Sequence, residues 1–309
     1  MTQDKRSFGV AVVEGIMWLL SRLPLRFHLW WAKFFTWILK ITQYRRDVVM
    51  INLARSFPEK RYKELKKIAD RFYKYFGCLV AEALWFGGRI GAKGRKELNE
   101  SGIVHIVNPE VFNEVYDKST NVMVLQAHQG NWELLGGWFS YNHSPDIALH
   151  SDFSEIGVVY KKPKSELWNR IFADNRCNSI KDTGFDGYLE SQEVLRFAIT
   201  HRKQKFIYIF PTDQYPYKIA TKHNIGKFLN QETLAMTGAT ALACRLGMSV
   251  SYLRWKCLEP GKYSVEFVPI CENAAEYTPE ELMEKYYKLL EQDIIEQPWS
   301  YLWTHRRWK

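Results

Sequence analysis

The stretch from 121 to 137 constrains the fold more than any other, because it reads as a strand followed by a tight turn and a helix. Val122–Leu125 is a continuous apolar run, short enough for a strand and apolar enough for one buried on both faces. Gly130 and Asn131 suit a tight turn and a helix N-cap, and an apolar run follows them. The pattern predicts an α/β sheet with polar side chains at the end of a strand. Such sheets usually carry their catalytic and ligand-binding residues at strand ends.

His128 and Glu133 are the two candidate catalytic residues of this turn. They are five residues apart, which is about 140° around an ideal helix, so one helix face cannot hold both. With His128 at the strand end and Glu133 in the first helical turn, the two can fold toward each other. An ionised Glu133 would then orient the ring of His128, which could remove a proton from a hydroxyl. On spacing alone, the alternative is a locally packed histidine and a helix-capping glutamate.

Four blocks, in order along the chain, resemble the bacterial lipid A biosynthesis late acyltransferases. Residues 127–136, Ala-His-Gln-Gly-Asn-Trp-Glu-Leu-Leu-Gly, are similar to the family's His-x4-Asp/Glu motif in the variant that ends in Glu. Residues 44–59 resemble the family's early basic block, Pro211–Gln214 its acidic site, and Trp303–Lys309 its ending. The resemblance therefore covers nearly the whole chain.

The resemblance implies an α/β fold: a single mixed-sheet domain flanked by helices, like that of glycerolipid acyltransferases, over residues 46–309. It implies transfer of a fatty acyl chain from an acyl-carrier-protein thioester to a hydroxyl of a membrane lipid A precursor. His128 would be the general base and Glu133 the carboxylate that orients it. No metal and no organic cofactor is expected for this reaction.

Four further residues are candidates for substrate binding: Asn131, Arg176, Asp213 and Gln214. Arg176 resembles an arginine that the family carries between the His motif and the acidic block. Its guanidinium would bind a phosphate of the acceptor or of the donor's phosphopantetheine arm. Asp213 and Gln214 follow a predicted strand at Phe206–Phe210, the position expected for a second part of the site.

Composition favours a membrane surface as the partner. The net charge of +9 indicates an acidic binding partner. An aromatic share of 15% with twelve Trp is typical of proteins at membrane interfaces. No nucleic-acid-binding motif accompanies these charges, so an anionic membrane is favoured over nucleic acid. The five cysteines show no metal or disulfide spacing, which favours reduced thiols.

Residues 1–45 are predicted to form membrane-anchoring or interfacial helices. Phe8–Leu20 is apolar apart from Glu14, but shorter than the roughly 18 residues of a confident spanning helix. Leu25–Ile41 carries cations on one predicted face and aromatic and aliphatic residues on another, the pattern of a helix in a bilayer interface. A core-facing helix is the alternative. With the resemblance, these features place the protein at the bacterial inner membrane, with its catalytic domain on the cytoplasmic face.

Periodicity predicts several other elements. Lys63–Trp85 reads as one amphipathic helix, and Glu232–Leu246 as a helix of small residues. Ser249–Trp255 and Tyr263–Pro269 read as adjacent strands. A capping box at Thr278 starts a last helix.

The sequence leaves three alternatives open. The acceptor could be another polar lipid, namely a glycolipid, an aminolipid or a phosphatidylinositol mannoside, because Tyr215 stands where the family commonly has a second acidic residue. The donor could be coenzyme A. A non-catalytic membrane-associated lipid-binding protein would explain the basic, aromatic N-terminal segment equally well. The oligomeric state is not predicted.

Overall fold

The computed structural model describes residues 8–141, 147–162, 165, 173, 175–184, 187–216 and 220–308. The α-helices of these ranges are α1 (Phe8–Ser21), α2 (Leu25–Ile41), α3 (Arg46–Ser56), α4 (Tyr62–Phe86), α5 (Gly91–Ser101), α6 (Pro109–Lys118), α7 (Val194–Thr200), α8 (Gly238–Leu246) and α9 (Pro279–Glu296). The strands are β1 (Val104–Ile106), β2 (Asn121–Gln126), β3 (Ile156–Tyr160), β4 (Tyr188–Glu190), β5 (Phe206–Pro211), β6 (Lys222–Phe228), β7 (Gln231–Met236), β8 (Ser249–Glu259) and β9 (Lys262–Cys271). Short 3₁₀ helices span Trp132–Ser140, Phe153–Glu155, Asn178–Thr183 and Ala274–Glu276.

A seven-stranded mixed sheet forms the centre of the protein, in the order β1-β9-β8-β2-β5-β3-β4. The five strands from β8 to β4 run parallel to one another, whereas β9 is antiparallel to β8 and parallel to β1. The predicted α/β fold with a mixed sheet flanked by helices is confirmed. The division predicted between 1–45 and 46–309 falls in the short connection between α2 and α3 and stays a prediction.

Strand β2 lies between β5 and β8, and all of its residues are buried. A strand with parallel neighbours on both sides and helices on both faces meets no water, which explains why its sequence is a continuous apolar run. The strand predicted at Phe206–Phe210 is β5, and the predicted adjacent pair is the β8–β9 hairpin. The predicted amphipathic helix is α4.

Two segments differ from the sequence predictions. The helix after the central turn is a 3₁₀ helix and not an α-helix. At Gly136 an added Cβ would overlap the Arg176 carbonyl, and at Gly137 it would overlap the Tyr141 ring, so close packing requires glycine at both positions. Two glycines in succession weaken an α-helix. The helix predicted from Glu232 begins only at Gly238, because Gln231–Met236 pairs with β6 as a strand.

The N-terminal helices α1 and α2 pack on the rest of the chain through α4. Gly77 of α4 lies so close to Ala32 and Thr36 of α2 that a side chain there would collide with both. Arg89, just after α4, donates from Nη2 to the Ser21 carbonyl at the end of α1, at 2.8 Å. Within the ranges given above, no helix is both long and apolar enough to cross a membrane.

Candidate active site

The register of β2 and β5 brings His128 and Asp213 together. The two strands are parallel neighbours with Gln126 opposite Pro211, and His128 and Asp213 each follow two residues later. Nδ1 of His128 lies 2.7 Å from Asp213 Oδ1, and the His128 backbone amide donates to Oδ2 at 3.1 Å. One carboxylate therefore holds both the ring and the backbone of the histidine.

In the His128–Asp213 pair, burial shifts each pKa in one direction, and the opposite charge with its hydrogen bonds shifts it in the other. The charge and the hydrogen bonds together have the larger effect on both pKa values. Asp213 is 2% exposed and the His128 side chain 18%. Burial lowers the pKa of His128, but the charge of Asp213 and its hydrogen bond leave that pKa raised. Burial likewise raises the pKa of Asp213, and His128 leaves it lowered. The ionised carboxylate accepts from Nδ1–H, so Nε2 is the nitrogen left to accept a proton.

Glu133 does not hold the imidazole, which corrects the sequence prediction. Its two carboxylate oxygens accept from Nε and Nη2 of Arg176, each at 2.7 Å, and Oε1 also accepts from Trp132 Nε1 at 3.0 Å. Because the Arg176 guanidinium binds both oxygens of this carboxylate, Glu133 is poorly placed to orient the imidazole ring. The charge of Glu133 still helps to raise the pKa of His128. A catalytic role for Glu133 remains a prediction, now through charge.

Trp132 and Gln214 complete the surroundings of the ring. Trp132 packs edge-to-face on His128, with ring centroids 5.1 Å apart, so it links the His128–Asp213 pair to the Glu133–Arg176 pair. The Nε2 atom of Gln214 lies 3.3 Å from His128 Nε2. Of the predicted substrate-binding residues, Gln214 and Asp213 thus contact the histidine, and Arg176 contacts Glu133.

Asn131 is placed differently from the other predicted site residues. It is wholly buried, and its amide donates to Oε2 of Glu82 at 2.7 Å. Glu82, also wholly buried, further accepts from Gly261 N at 2.8 Å and from Tyr263 OH at 2.6 Å. The position of Asn131 favours a role in holding the turn, and the predicted contact with substrate stays a prediction.

The turn itself is held from three sides. Gly130 has φ +62°, and a Cβ there would overlap the side chain of Trp255, so a glycine is required. Gly130 N donates to the Ser300 carbonyl at 3.2 Å, and the Tyr75 hydroxyl donates to the Gly130 carbonyl. Helix α4, strand β8 and the C-terminal segment therefore all fix the backbone that carries His128.

The C-terminal segment meets α3 and the loop after β5 beside the site. Asn52 Nδ2 donates to the carbonyls of Trp303 and His305, each at 2.9 Å. The backbone amide of Tyr215 donates to His305 Nε2 at 3.1 Å. The early basic block and the C-terminal block thus contact each other here, and the C-terminal block also contacts the residue that follows the acidic block.

A buried layer under Asp213 was missed by the sequence reasoning. Arg307 is 1% exposed and donates to Tyr287 OH at 2.9 Å, and that hydroxyl donates to the Thr212 carbonyl at 3.0 Å. Tyr301 OH lies 3.5 Å from the Asp213 carbonyl. The only signal for Arg307 and Tyr301 is that they lie in or next to a block that resembles a family.

Comparison with known protein families places the chain in one of them. A family model described as "Bacterial lipid A biosynthesis acyltransferase" matches residues 3–309. The chain belongs to the bacterial lipid A biosynthesis acyltransferase family. No individual curated protein matches it. The predicted family and the predicted acyltransferase activity are confirmed, and the family implies an acyl donor and a lipid acceptor. In the part of the chain that the structure describes, no group of three His, Cys, Asp or Glu side chains could hold a metal ion.

Proposed function

We propose that this acyltransferase moves a fatty acyl chain from an acyl-carrier-protein thioester to a hydroxyl of a lipid A precursor, with His128 as the general base. The observation that carries the proposal is the 2.7 Å hydrogen bond between His128 Nδ1 and Asp213. That bond fixes the ring and its tautomer, so the basic Nε2 is presented to the acceptor. Asp213 takes the orienting role that the sequence had suggested for Glu133.

The reaction balances with these groups alone. Nε2 of His128 takes the proton of the acceptor hydroxyl as its oxygen attacks the thioester carbonyl carbon, and a C–O bond forms. The tetrahedral intermediate collapses by breaking the C–S bond, and the imidazolium returns the proton to the thiolate. Asp213 stays ionised throughout and stabilises the imidazolium.

Gln214 is the proposed donor to the oxyanion of the tetrahedral intermediate. Its amide nitrogen lies 3.3 Å from His128 Nε2, beside the place where the carbonyl oxygen gathers charge. The backbone amides of His128 and Gly130 already donate to Asp213 and to the Ser300 carbonyl. The acceptor hydroxyl displaces the Gln214 amide from Nε2 of His128. The amide is then free to donate and lies next to the reacting carbon.

Arg176 is the proposed phosphate-binding residue. Its side chain is 26% exposed and is held by Glu133, which itself is tied through Trp132 to the ring of His128. Burial lowers the pKa of Arg176, but the charge and hydrogen bonds of Glu133 raise it by more. The net pKa is raised, so the guanidinium stays charged. A phosphate of the acceptor or of the donor's phosphopantetheine arm suits such a fixed guanidinium.

Helices α1 and α2 are the proposed contact with the cytoplasmic face of the bacterial inner membrane. They expose large apolar side chains: Ile16, Trp18 and Leu19 of α1, and Trp30, Phe34, Trp37 and Ile41 of α2. Soluble monomers rarely expose so many large apolar residues on adjacent elements, and Trp is enriched where membranes meet water. This position brings the catalytic part to its lipid acceptor.

The test is mass spectrometry of total lipids from cells that carry the wild type or His128→Ala. The matched control is His150→Ala, since His150 also bonds an Asp through Nδ1, at 2.9 Å from Asp117, but both side chains are half-exposed. We expect lipid A lighter by one acyl chain with His128→Ala only.

Other results would redirect the proposal. If another polar lipid loses an acyl group instead, the acceptor assignment is wrong and the acyltransferase assignment stands. If a folded His128→Ala protein leaves every lipid unchanged, the base is not His128. With purified protein, turnover with the acyl-carrier-protein thioester but not with acyl-coenzyme A identifies the donor.

A further inference from the structure

Helix α4 carries a stripe of cations along one exposed face. Lys63, Lys67, Arg71 and Lys74 are all exposed, and their spacing of four, four and three residues keeps them within about 80° around the helix. We call these four residues the α4 stripe. Among the ion pairs of the described ranges, none involves a residue of the stripe, although Arg71 lies 3.9 Å above the ring of Trp299.

The stripe continues onto α2. Asp70, which lies at the edge of the stripe about 20° around α4 from Lys63, forms an ion pair with Lys40 of α2 at 2.9 Å. Lys40 belongs to a row with Arg26 and Lys33, and all three are exposed. This row spreads over only about 40° of α2, because its members are seven residues apart. The cations of α2 therefore form the edge of that helix nearest to the α4 stripe.

The exposed aromatic residues of α2 lie next to this row of cations. Trp30 is 61% and Trp37 56% exposed, and each lies within about 80° of the cations around the helix. Phe27 and Trp31, which lie farther around the helix from the cations, are only partly exposed. The surface thus passes from the α4 stripe to the cations of α2 and then to its exposed aromatic residues.

We propose that α4 is a second membrane-contacting element, in which the α4 stripe binds anionic lipid head groups while the aromatic residues of α2 enter the interface. Cations beside exposed tryptophans are the chemistry of a helix on an anionic bilayer. An acidic protein would match the charges but would leave the neighbouring aromatic residues in water. The inference shares the membrane position of the proposed function, but it does not depend on acyl transfer.

The experiment measures binding of the full chain to lipid vesicles, in a His128→Ala background so that turnover does not alter the lipids. The stripe variant carries Lys63→Gln, Lys67→Gln, Arg71→Gln and Lys74→Gln. The control removes four other exposed cations with Arg196→Gln, Arg202→Gln, Lys203→Gln and Lys288→Gln. Glutamine is a good helix former, so α4 is expected to fold in the variant. The vesicles are phosphatidylcholine alone or phosphatidylcholine with phosphatidylglycerol.

We expect the stripe variant to lose about 600-fold in partitioning onto the anionic vesicles, because each of the four cations near such a surface contributes roughly fivefold. Binding to phosphatidylcholine alone, which depends on α1 and α2, should stay unchanged. The control should lose much less. Added salt should weaken the parent protein on anionic vesicles and should affect the stripe variant little.

Two results would overturn the inference: anionic binding of the stripe variant equal to that of the parent, or an equal loss in the control. A third result would identify a different binding partner for the α4 stripe. With His128 restored, loss of turnover with acyl-carrier-protein thioester but not with acyl-coenzyme A, at unchanged vesicle binding, means that the stripe binds the acidic carrier. Failure of the proposed function appears separately, as a wild type that binds vesicles and transfers no acyl chain.

Discussion

Asp213 orients His128 because two neighbouring strands end at the same level. Each side chain follows its strand by two residues, and the parallel register then leaves 2.7 Å between Nδ1 and the carboxylate. Glu133 is closer in sequence, but both of its oxygens are bound by Arg176. At the scale of single residues, Asp213 is therefore the carboxylate that touches the ring, and Glu133 is not.

Asp213→Asn should lower kcat by roughly 10²- to 10⁴-fold with little change in KM, because the amide can present N–H to Nδ1 and favour the wrong tautomer. Steady-state kinetics measure this. Asp117→Asn, which alters the half-exposed carboxylate beside His150, is the control and should keep full activity. A kcat within about threefold of the wild type in Asp213→Asn would remove Asp213 from the mechanism.

The pH profile of kcat/KM should report the raised pKa of His128. The proposed mechanism needs neutral His128, so activity should rise as pH rises through that pKa and should be lost below it. Asp213 raises the pKa and burial lowers it. Asp213→Asn removes the raising influence, so the acid limb of its residual activity should move to lower pH. A limb that stays in place would show that another group titrates.

The Glu133–Arg176 pair should show energetic coupling in a double-mutant cycle. Glu133→Gln and Arg176→Gln each break two charge-assisted hydrogen bonds of 2.7 Å. We expect a coupling free energy of about 1 kcal/mol in unfolding, since the pair is partly exposed. Denaturant unfolding in detergent measures it. The same cycle for Glu133 and His128 should give a smaller coupling, and equal values would revive the direct contact predicted from sequence.

At the scale of elements, Glu82 joins α4, the catalytic turn and the β8–β9 hairpin. Three donors, one from the turn and two from the hairpin, converge on its buried carboxylate. The amphipathic period of α4 predicts which face is buried, but a glutamate on that face is not expected from the period. The contact exists because Asn131 and Gly261, far apart in sequence, meet over the same turn of α4.

Glu82→Ala should lower the free energy of unfolding by about 3 kcal/mol or more, because three buried donors lose their acceptor. Glu82→Gln should cost less, since the amide oxygen still accepts. Thermal unfolding followed by circular dichroism measures both. Glu100→Ala, at an exposed site of α5, is the control and should stay within about 0.5 kcal/mol of the wild type. A Glu82→Ala protein as stable as that control would contradict this account.

At the scale of the whole molecule, the C-terminal segment closes the structure around the site. It bonds to α3 through Asn52, to the loop after β5 through His305, and to β7 through Arg307, which donates to the Leu234 carbonyl at 2.8 Å. These partners come from distant parts of the chain. The segment therefore couples the order of the loop that carries Asp213 to the folding of the entire chain.

Asn52→Ala should leave two carbonyls, one buried and one partly buried, without their donor and loosen this segment. Hydrogen exchange followed by mass spectrometry should show faster exchange in peptides covering Trp303–Trp308, and kcat should fall several-fold. Asn224→Ala, on the exposed β6 strand, is the matched control. Unchanged exchange in the Asn52→Ala protein would mean that the segment is held by its other contacts.

The sequence predicted the elements whose pattern follows burial. Strand β2 reads as an apolar run because it is covered on both faces, and α4 reads as a helix because one side is buried. Strand β7 was predicted as helix, because the residues Gln231–Met236 carry no strong strand preference. Its pairing with β6 follows from the turn at Leu229 and Asn230, which both have positive φ.

The sequence by itself determined the family and the mixed α/β fold, because strand ends and turn residues are local signals. It predicted His128, Glu133 and Asp213 as site residues from their places at strand ends and in the turn, and Arg176 only from the resemblance. Only the tertiary structure decided how these four pair. A carboxylate binds the donor nearest in space, and that distance depends on strand register, on the bidentate reach of an arginine and on a C-terminal segment that packs against the backbone of His128 and Asp213. Local pattern carries no information on such distances.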